Sequence, residues 1–383
     1  MPRCWLLTAF WLLLAGASCE SAFAPLGNDG GAVTPDGSAA QVDGHVGSQD
    51  APASSDGGSL DAMAPADAAA SQCTAPLDTS RISLPADDSM HDESAEWWYW
   101  TGHLRTADGR WFGFEQAVFR KVVLGVGGMA AHSALTDIEG NTFYHAVYQP
   151  LLDVPKTDNG LVFEQAGQRV SCGDGHDTLH GLGLGFSFDL QLETAKRPTL
   201  QHEDGYTDYS FGGYTYYYSR ERMAATGSLV VGTESFAVTG TAWFDHQYGE
   251  LMTAIGYGWD WFGIQLDDNR EIMLFTVHAG GTPVVVGATL SDADCVTTEL
   301  APEDFEVESL GTWTSPHTFC TYPSGWHVRV KDLVFDIQPT VADQELFTSA
   351  FLTPIYWEGP ATVTGSATGR AYVELSGYCP PLP

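Results

Sequence analysis

A tryptophan-rich segment occurs twice in this chain and constrains the fold more than any other feature. Residues 96–102 (EWWYWTG) lead into the turn 107–110 (ADGR), and residues 258–263 (GWDWFG) lead into the turn 267–270 (DDNR). A second apolar segment follows each turn. Asp-Gly and Asp-Asn turns between such segments are typical of β-hairpins, because these residues tolerate the positive φ that a tight hairpin needs. The sequence therefore predicts the same kind of hairpin twice.

The two segments align at alternate positions. When Trp98 is placed on Trp259, Gly102 falls on Gly263. The copies lie about 160 residues apart, which is too long for the repeating unit of a solenoid. We therefore predict two related β-domains and expect the function to lie where they meet.

The rest of the folded region also has strand patterns. In residues 182–193, six apolar residues occupy successive even positions, which is the period of a strand with one buried face. Many short strands with Gly-rich turns favour barrels or sandwiches. The predicted class is all-β, with an N-terminal domain over residues 86–252 and a C-terminal domain over residues 253–383. Two aromatic and carboxylate clusters, at residues 356–359 and 372–378, end the chain.

The charge balance narrows the choice of partners. The chain carries 49 acidic and 16 basic residues, a formal net charge of −33. Proteins bind nucleic acid through Lys and Arg that neutralise phosphate. The composition therefore argues against nucleic acid as a partner and disfavours docking on anionic lipid.

Residues 1–19 are predicted to be an export signal, because Arg3 precedes an apolar run that is too short to span a bilayer. Two processing routes remain open. Residues 15–17 (AGA) match an ordinary signal-peptidase site, whereas residues 16–19 (GASC) resemble a bacterial lipobox that would place a lipid on Cys19. We expect an exported protein, either a cell-envelope lipoprotein anchored through an acylated Cys19 or a secreted protein.

Residues 20–85 are predicted to be a disordered acidic tether. Residues 20–80 contain nine acidic residues and no Lys or Arg, and Gly, Ala, Ser, Asp and Pro dominate them. Such a segment buries too little apolar surface to offset the entropy lost on ordering. A long tether beside a lipidation site suits a domain held clear of a membrane.

Seven cysteines fit an exported protein, although their pairing is not readable from sequence. Cys295 and Cys320 both lie in the second domain, and we predict a disulfide between them. The chain has no C-x-x-C pair. His91 and His103 lie near acidic residues but lack the spacing of a ligand set, so no metal and no cofactor is expected.

Five segments occur in an order that resembles a known family: residues 96–104, 217–220, 240–246, 258–261 and 372–375. Together they are similar to the AttH-like proteins, also called predicted secreted hydrolases, which are related to carotenoid 1,2-hydratase. The resemblance covers residues 85–380. It implies two lipocalin-like antiparallel β-barrels packed together, with a pocket near their interface. Relatives hydrate isoprenoid alkenes, and some fungal ones guide pericyclic ring closures.

The resemblance implies that Asp245 is the catalytic acid and Trp243 an aromatic beside it. Where the hydratase carries a His-x-Trp pair, this chain has Tyr216 and Tyr218, so His246 or His132 would have to replace the water-activating histidine. Adding water to an alkene needs a strong acid and aromatic faces for the carbocation, and burial of a carboxyl raises its pKa. The predicted catalytic residues are therefore Asp245 and His246.

A hydrophobic small molecule is the predicted ligand, an isoprenoid, polyketide or lipid. The residues predicted to bind it are Trp98, Tyr99, Glu115, His132, Tyr216, Tyr218, Trp243, Trp259 and Glu374.

Structural roles compete with these assignments. The tryptophans could fill a core, Asp245 could cap a turn, and Glu374 could form an ion pair with Arg220 or Arg222. A non-catalytic envelope carrier needs only the pocket. A serine hydrolase is disfavoured because neither Ser210 nor Ser219 lies in a G-x-S-x-G turn.

Overall fold

The computed structural model describes residues 80–209, 212–250, 257–347 and 355–379, and within them the chain is almost entirely antiparallel β-sheet. The first sheet has the strand order β4-β3-β2-β1-β12-β11-β8-β7-β6-β5, with two short strands, β9 and β10, paired to β11. Its strands are β1 (Ala95–Arg105), β2 (Trp111–Val123), β3 (Val126–Asp137), β4 (Thr142–Leu152), β5 (Leu161–Gln165), β6 (Gln168–Cys172), β7 (His176–Gly183), β8 (Phe186–Thr194), β9 (Thr199–Leu200), β10 (Tyr206–Asp208), β11 (Tyr214–Val231) and β12 (Glu234–Glu250). Because β7 also contacts β3 and β4, the sheet curls into a nearly closed barrel.

The second sheet has the order β16-β15-β14-β13-β24-β23-β21-β20-β17, with β22 paired to β23, and forms a half-barrel; β18 and β19 pair separately. The strands are β13 (Gly258–Leu266), β14 (Glu271–Ala279), β15 (Thr282–Ser291), β16 (Thr297–Glu299), β17 (Phe305–Ser309), β18 (Thr312–Thr314), β19 (Thr321–Pro323), β20 (Trp326–Val330), β21 (Leu333–Pro339), β22 (Glu345–Leu346), β23 (Tyr356–Gly365) and β24 (Gly369–Ser376). The described strands of both sheets belong to one compact unit.

Helices are short and few in the described segments. They are two 3-10 turns, Ala86–Asp88 and Pro302–Asp304, and the α-helical turn His202–Gly205. None of the helices in this part of the chain has the length and hydrophobicity that a membrane span requires. The all-β class predicted from sequence is therefore confirmed.

The repeated tryptophan segments form the central hairpin of each sheet. Strand β1 pairs with β2 and strand β13 pairs with β14, as the turn residues predict. Alternate side chains of β1 enter the first barrel, where Trp98 and Trp100 are fully buried. The corresponding core of the half-barrel includes Phe262 and Ile264. Ile82, which lies within the predicted tether, is also buried against the first core.

The glycine shared by the two segments is required at position 102 because neighbouring strands leave no room for a side chain there. A Cβ on Gly102 would lie 2.4 Å from the carbonyl oxygen of Thr241 and 2.6 Å from Cε1 of Phe114. We expect Gly102→Ala to lower the free energy of unfolding by about 1–3 kcal/mol, since backbone on β12 cannot yield cheaply. Denaturant unfolding measures this. Gly311→Ala is the control, because its Cβ would meet only one atom, at 3.5 Å, and equal effects at both sites would contradict the packing argument.

The predicted disulfide between Cys295 and Cys320 is wrong. Cys320 is bonded to Cys379, which follows β24 and lies 59 residues away in sequence. Cys295 is itself disulfide-bonded, and Cys172 is free and buried in the first core. The prediction rested only on both cysteines lying in the second domain, but that domain contains three cysteines and so allows more than one pairing.

The predicted signal 1–19, Cys19 and the predicted tether before residue 80 lie outside the described residues.

Candidate functional site

The two sheets pack face to face through their central strands. Strands β1, β2 and β11 of the barrel contact β24, β23 and β13 of the half-barrel. We call this contact region the seam. Its buried apolar core consists of Tyr99, Ala117, Tyr217, Trp243, Trp261, Met273 and Tyr372, with Trp97, Phe119, Trp259 and Phe275 packed against it.

Strand alternation decides which of the sequence-predicted residues meet. Successive side chains point to opposite faces of a strand, so neighbours along the chain separate. Seven predicted residues lie at the seam: Tyr99, Glu115, His132, Trp243, Asp245, Trp259 and Glu374. Trp98, Tyr216, Tyr218 and His246 lie on the barrel side of the same sheet. Asp245 and His246, predicted to work together, therefore occupy opposite faces of β12.

Asp245 is buried in the seam and accepts three hydrogen bonds. Its donors are the hydroxyl of Tyr217 at 2.7 Å, the hydroxyl of Ser219 at 2.5 Å and the indole N–H of Trp243 at 2.7 Å. Burial raises the pKa of Asp245 to about 6, against the opposing effect of these donors. The indole N–H of Trp261 in turn donates to the Tyr217 hydroxyl at 3.2 Å, so the carboxylate is held in one orientation by neighbours that are themselves fixed.

Three glutamates from three strands also lie at the seam: Glu115 on β2, Glu358 on β23 and Glu374 on β24. Glu358 and Glu374 are directly opposite each other in the strand pairing. Burial, together with the charge of Glu374, holds the pKa of Glu115 well above its usual range, and burial with the charges of Glu115 and Glu374 does the same to the pKa of Glu358. Burial raises the pKa of Glu374 to about 7, opposed by a hydrogen bond from Trp259. Each carboxyl of the cluster is therefore harder to ionise than an exposed glutamate.

Several polar atoms of this cluster have no hydrogen-bond partner among the described residues. They are both carboxyl oxygens of Glu115, Oε2 of Glu358, the hydroxyl of Tyr372 and Nε2 of His132. The other ring nitrogen of His132 is 2.5 Å from the hydroxyl of Tyr356, and burial lowers its pKa to about 3, so the ring is neutral. Leaving a buried polar group unpaired costs about 1–3 kcal/mol. Such atoms gathered on one face suit a ligand that would pair with them.

A different polar network occupies the barrel side of the sheet. Arg220 makes two hydrogen bonds to Asp88, at 2.7 and 2.8 Å, and Tyr218 donates to the same carboxylate. The second arginine, Arg222, forms an ion pair with Glu271. The alternative that Glu374 pairs with Arg220 or Arg222 is therefore wrong, because both arginines are bound to other carboxylates.

Sequence reasoning missed the roles of Glu358, Tyr356 and Tyr372 at the seam. Their signal was the spacing Tyr-x-Glu, which occurs at residues 356–358 and again at 372–374. A period of two places the Tyr and the Glu of each pair on one face of a strand. The sequence shows each pair but gives no indication that β23 and β24 lie side by side.

The raised pKa of Glu374 predicts a pH-dependent contribution to stability. Its folded-state pKa is about 7 against an ordinary value of 4.5, so folding favours the neutral form. That contribution is complete below about pH 4.5 and is lost as the pH rises through about 7. We expect the difference in unfolding free energy between the wild type and Glu374→Gln to fall over this window, as measured by urea unfolding at each pH. A pH-independent difference, equal to that of the exposed control Glu164→Gln, would show that Glu374 is ionised throughout.

Comparisons with known proteins identify the family and the fold. The family model described as AttH-like matches residues 75–378, which include both sheets and the seam. The crystal structure of an AttH candidate from Nitrosomonas europaea is 27% identical, covers 80% of this chain and 100% of that chain, and has a TM-score of 0.70. Kievitone hydratase from Nectria haematococca is 18% identical, covers 79% of this chain and 95% of that chain, and has a TM-score of 0.66, which shows a shared fold. No curated protein matches the sequence.

The resemblance inferred from the ordered motifs is thereby confirmed. The matched region extends over most of the sequence and over every strand that forms the seam. The chain belongs to the AttH-like family.

Proposed function

We propose that the seam binds an apolar ligand that contains an alkene and catalyses the acid-assisted addition of water to it. One observation carries this proposal: Glu115 is fully buried, its pKa is raised well above 4.5, and neither carboxyl oxygen has a partner among the described residues. A neutral carboxyl with a free O–H is the group that protonates an alkene. Indole and phenol rings pack in the same region, and an apolar ligand is suited to them.

The chemistry balances with the residues of the seam. Glu115 gives its proton to one alkene carbon, forming a C–H bond, and the π electrons leave a carbocation on the other carbon. Water attacks the carbocation to form the C–O bond and then releases a proton to the Glu115 carboxylate, which restores the acid. A cation over an aromatic face gains about 0.5–2 kcal/mol, and Tyr99, Trp243 and Trp261 lie together at the seam in edge-to-face contact.

In this scheme Asp245 is not the proton donor that the sequence predicted but a fixed negative charge. Three donors orient it, so its lone pairs are engaged and its ionised form is favoured over that of Glu115. Its charge acts on Glu374. We propose that Asp245 supplies a fixed negative charge near the developing cation, while Glu115 donates the proton.

A hydratase among the structural neighbours is consistent with this reaction class, although at 18% identity it supports the fold alone. A non-catalytic carrier remains the alternative, since the aromatic lining alone would bind an apolar ligand. A hydrolase has less support: the Ser219 hydroxyl donates to Asp245 and accepts from Gln201, so it is engaged as an orienting group.

The test is incubation of the purified chain with isoprenoid and polyketide alkenes in ¹⁸O-labelled water, followed by mass spectrometry. If the protein is a hydratase, the product has gained one labelled water molecule. The Glu115→Gln variant should form this product more slowly than the wild type. Recovery of tightly bound but unchanged ligand supports the carrier instead. Release of an acid and an alcohol from an ester panel would support a hydrolase.

Export and anchoring through Cys19 remain proposals that rest on the sequence of residues 1–19. Cell fractionation of the wild type and Cys19→Ser tests them. A lipoprotein predicts that the substitution moves the protein from the membrane fraction to the soluble fraction.

A further inference from the structure

Three metal-ligating side chains converge on the barrel side of the first sheet, away from the seam. His91 precedes β1, Glu96 lies near the start of β1, and His246 lies on β12. Nδ1 of His91 is 2.8 Å and Nε2 of His246 is 3.0 Å from the same oxygen, Oε1 of Glu96. The three ligand atoms all lie within 4.8 Å of one another. Two of the three side chains are fully buried, and His91 is half-buried.

The hydrogen bonds around His246 leave one ring nitrogen available to a cation. Asp88 accepts two hydrogen bonds from one guanidinium nitrogen of Arg220, and the single proton of the Tyr218 hydroxyl is donated to the same side chain. The Tyr218 oxygen can then only accept from Nδ1 of His246, which is 3.2 Å away. In a neutral imidazole with Nδ1–H, the Nε2 atom carries a lone pair. That lone pair faces Oε1 of Glu96 at 3.0 Å, a contact that a metal ion or a proton shared by the two atoms would satisfy.

His91 has the same arrangement on the other side of Glu96. Its Nε2 lies 3.4 Å from Oδ1 of Asp87, and its Nδ1 is directed at Glu96. Ring stacking holds both imidazoles: His91 stacks on Tyr248 at 3.5 Å, and His246 stacks on Trp98 at 4.7 Å. Metal-ligating histidines typically give their second nitrogen to a carboxylate or another oxygen that fixes the tautomer. Both imidazoles here have such a partner.

We infer that His91, Glu96 and His246 form a binding site for a divalent transition-metal ion, with Zn²⁺ as the best match. Two imidazole nitrogens and a carboxylate oxygen are a donor set found in zinc sites that keep an open position. His91 also lines a surface pocket of about 240 Å³ together with Asp87, Lys156 and Asp158. Of the three ligands, this pocket therefore reaches His91. The site is separate from the proposed hydration chemistry, because His246 and Asp245 lie on opposite faces of β12.

Sequence spacing gave no sign of this site. His91 and Glu96 are close in the chain, but His246 lies 150 residues beyond Glu96 and is brought to it by the β1–β12 pairing. The competing explanation is that additional protons on the imidazoles, instead of a metal ion, bridge them to Glu96. An experiment with the metal ion alone distinguishes the two.

The test is to strip the purified full chain with a chelator, add Zn²⁺, remove excess ion by gel filtration and measure bound zinc by atomic emission. We expect one equivalent on the wild type and its loss in His91→Ala and Glu96→Gln. Asp87→Asn, which keeps the shape but removes the carboxylate beside His91, should weaken zinc binding about 10-fold or more. The control is His327→Ala, because His327 is an exposed imidazole paired with Asp336, and it should retain the equivalent.

A second measurement distinguishes loss of the zinc site from misfolding of a variant. Zn²⁺ should raise the midpoint of thermal unfolding of the wild type and of His327→Ala but not of His91→Ala, with native circular dichroism checked for each. A folded wild type that retains no zinc would overturn the proposal and favour the explanation in which protons bridge the imidazoles to Glu96. Equal zinc binding by wild type and His91→Ala would overturn it as well.

Discussion

Replacing Arg220 by Met is expected to lower the free energy of unfolding by about 3–5 kcal/mol, because it leaves a buried carboxylate without its cation. Arg220 is 2% exposed and Asp88 is 1% exposed. Two guanidinium hydrogen bonds join them, and Asp177, whose pKa burial raises to about 6, is close enough to interact with Arg220. The remaining donors to Asp88, Tyr218 and the backbone N–H of Asp174, carry no charge. Guanidinium chloride unfolding measures the loss.

Two further variants make this result specific. Arg329→Met removes an arginine from the exposed pair with Glu306 and should cost less than about 1 kcal/mol. The double variant Arg220→Met with Asp88→Leu removes both charges and should recover much of the stability, since apolar replacement of a buried ion pair is often neutral. If Arg220→Met alone unfolds within about 1 kcal/mol of the wild type, the buried charge is compensated by other groups and the account of this network fails.

Substitution of Glu115 by Gln is expected to reduce turnover about 10²–10⁴-fold, the usual contribution of a positioned general acid. Gln retains the size and hydrogen-bonding capacity of the neutral carboxyl but holds no transferable proton. The ligand should still bind, so the loss should fall on kcat more than on KM. Turnover of the alkene identified by the labelled-water assay measures this effect.

Stability provides a second readout of the same residue. Glu115→Met removes a buried carboxyl whose oxygens are unpaired, and it should raise the free energy of unfolding by about 1–3 kcal/mol. Lost activity with gained stability is typical of a residue kept for function. The exposed control Glu164→Gln should change neither quantity. Full activity in Glu115→Gln would remove Glu115 from the mechanism, whatever its effect on stability.

Much of the fold could be predicted from local sequence. The turns after residues 96–102 and 258–263 predict the two hairpins. The alternation in residues 182–193 predicts one strand, but only Phe186–Thr194 forms it with a buried face, because Leu182 belongs to the preceding strand and Leu184 is exposed in the turn between them. Gly102 could be placed in a strand but not explained, because the backbone that excludes a side chain there belongs to β12. The motif order was sufficient for the family because it extends over both sheets.

The candidate site was predictable only in part. Strand period alone separates Asp245 from His246, since adjacent residues point to opposite faces, although both were predicted to be catalytic. The cluster of Glu115, Glu358 and Glu374 depends on which strands become neighbours and on how two sheets pack. The same holds for the pairing of Cys320 with Cys379. These contacts are long-range, and no local pattern of residue types specifies them.

Infrared difference spectroscopy tests the central claim most directly, because it needs no knowledge of the ligand. The claim is that the Glu115 carboxyl at the seam is protonated at neutral pH. The spectrum of wild type minus Glu115→Gln at pH 7 should contain the carbonyl stretch of a protonated carboxylic acid in an apolar environment. A difference spectrum that contains only the bands of an ionised carboxylate would contradict the proposed acid and, with it, the hydration mechanism.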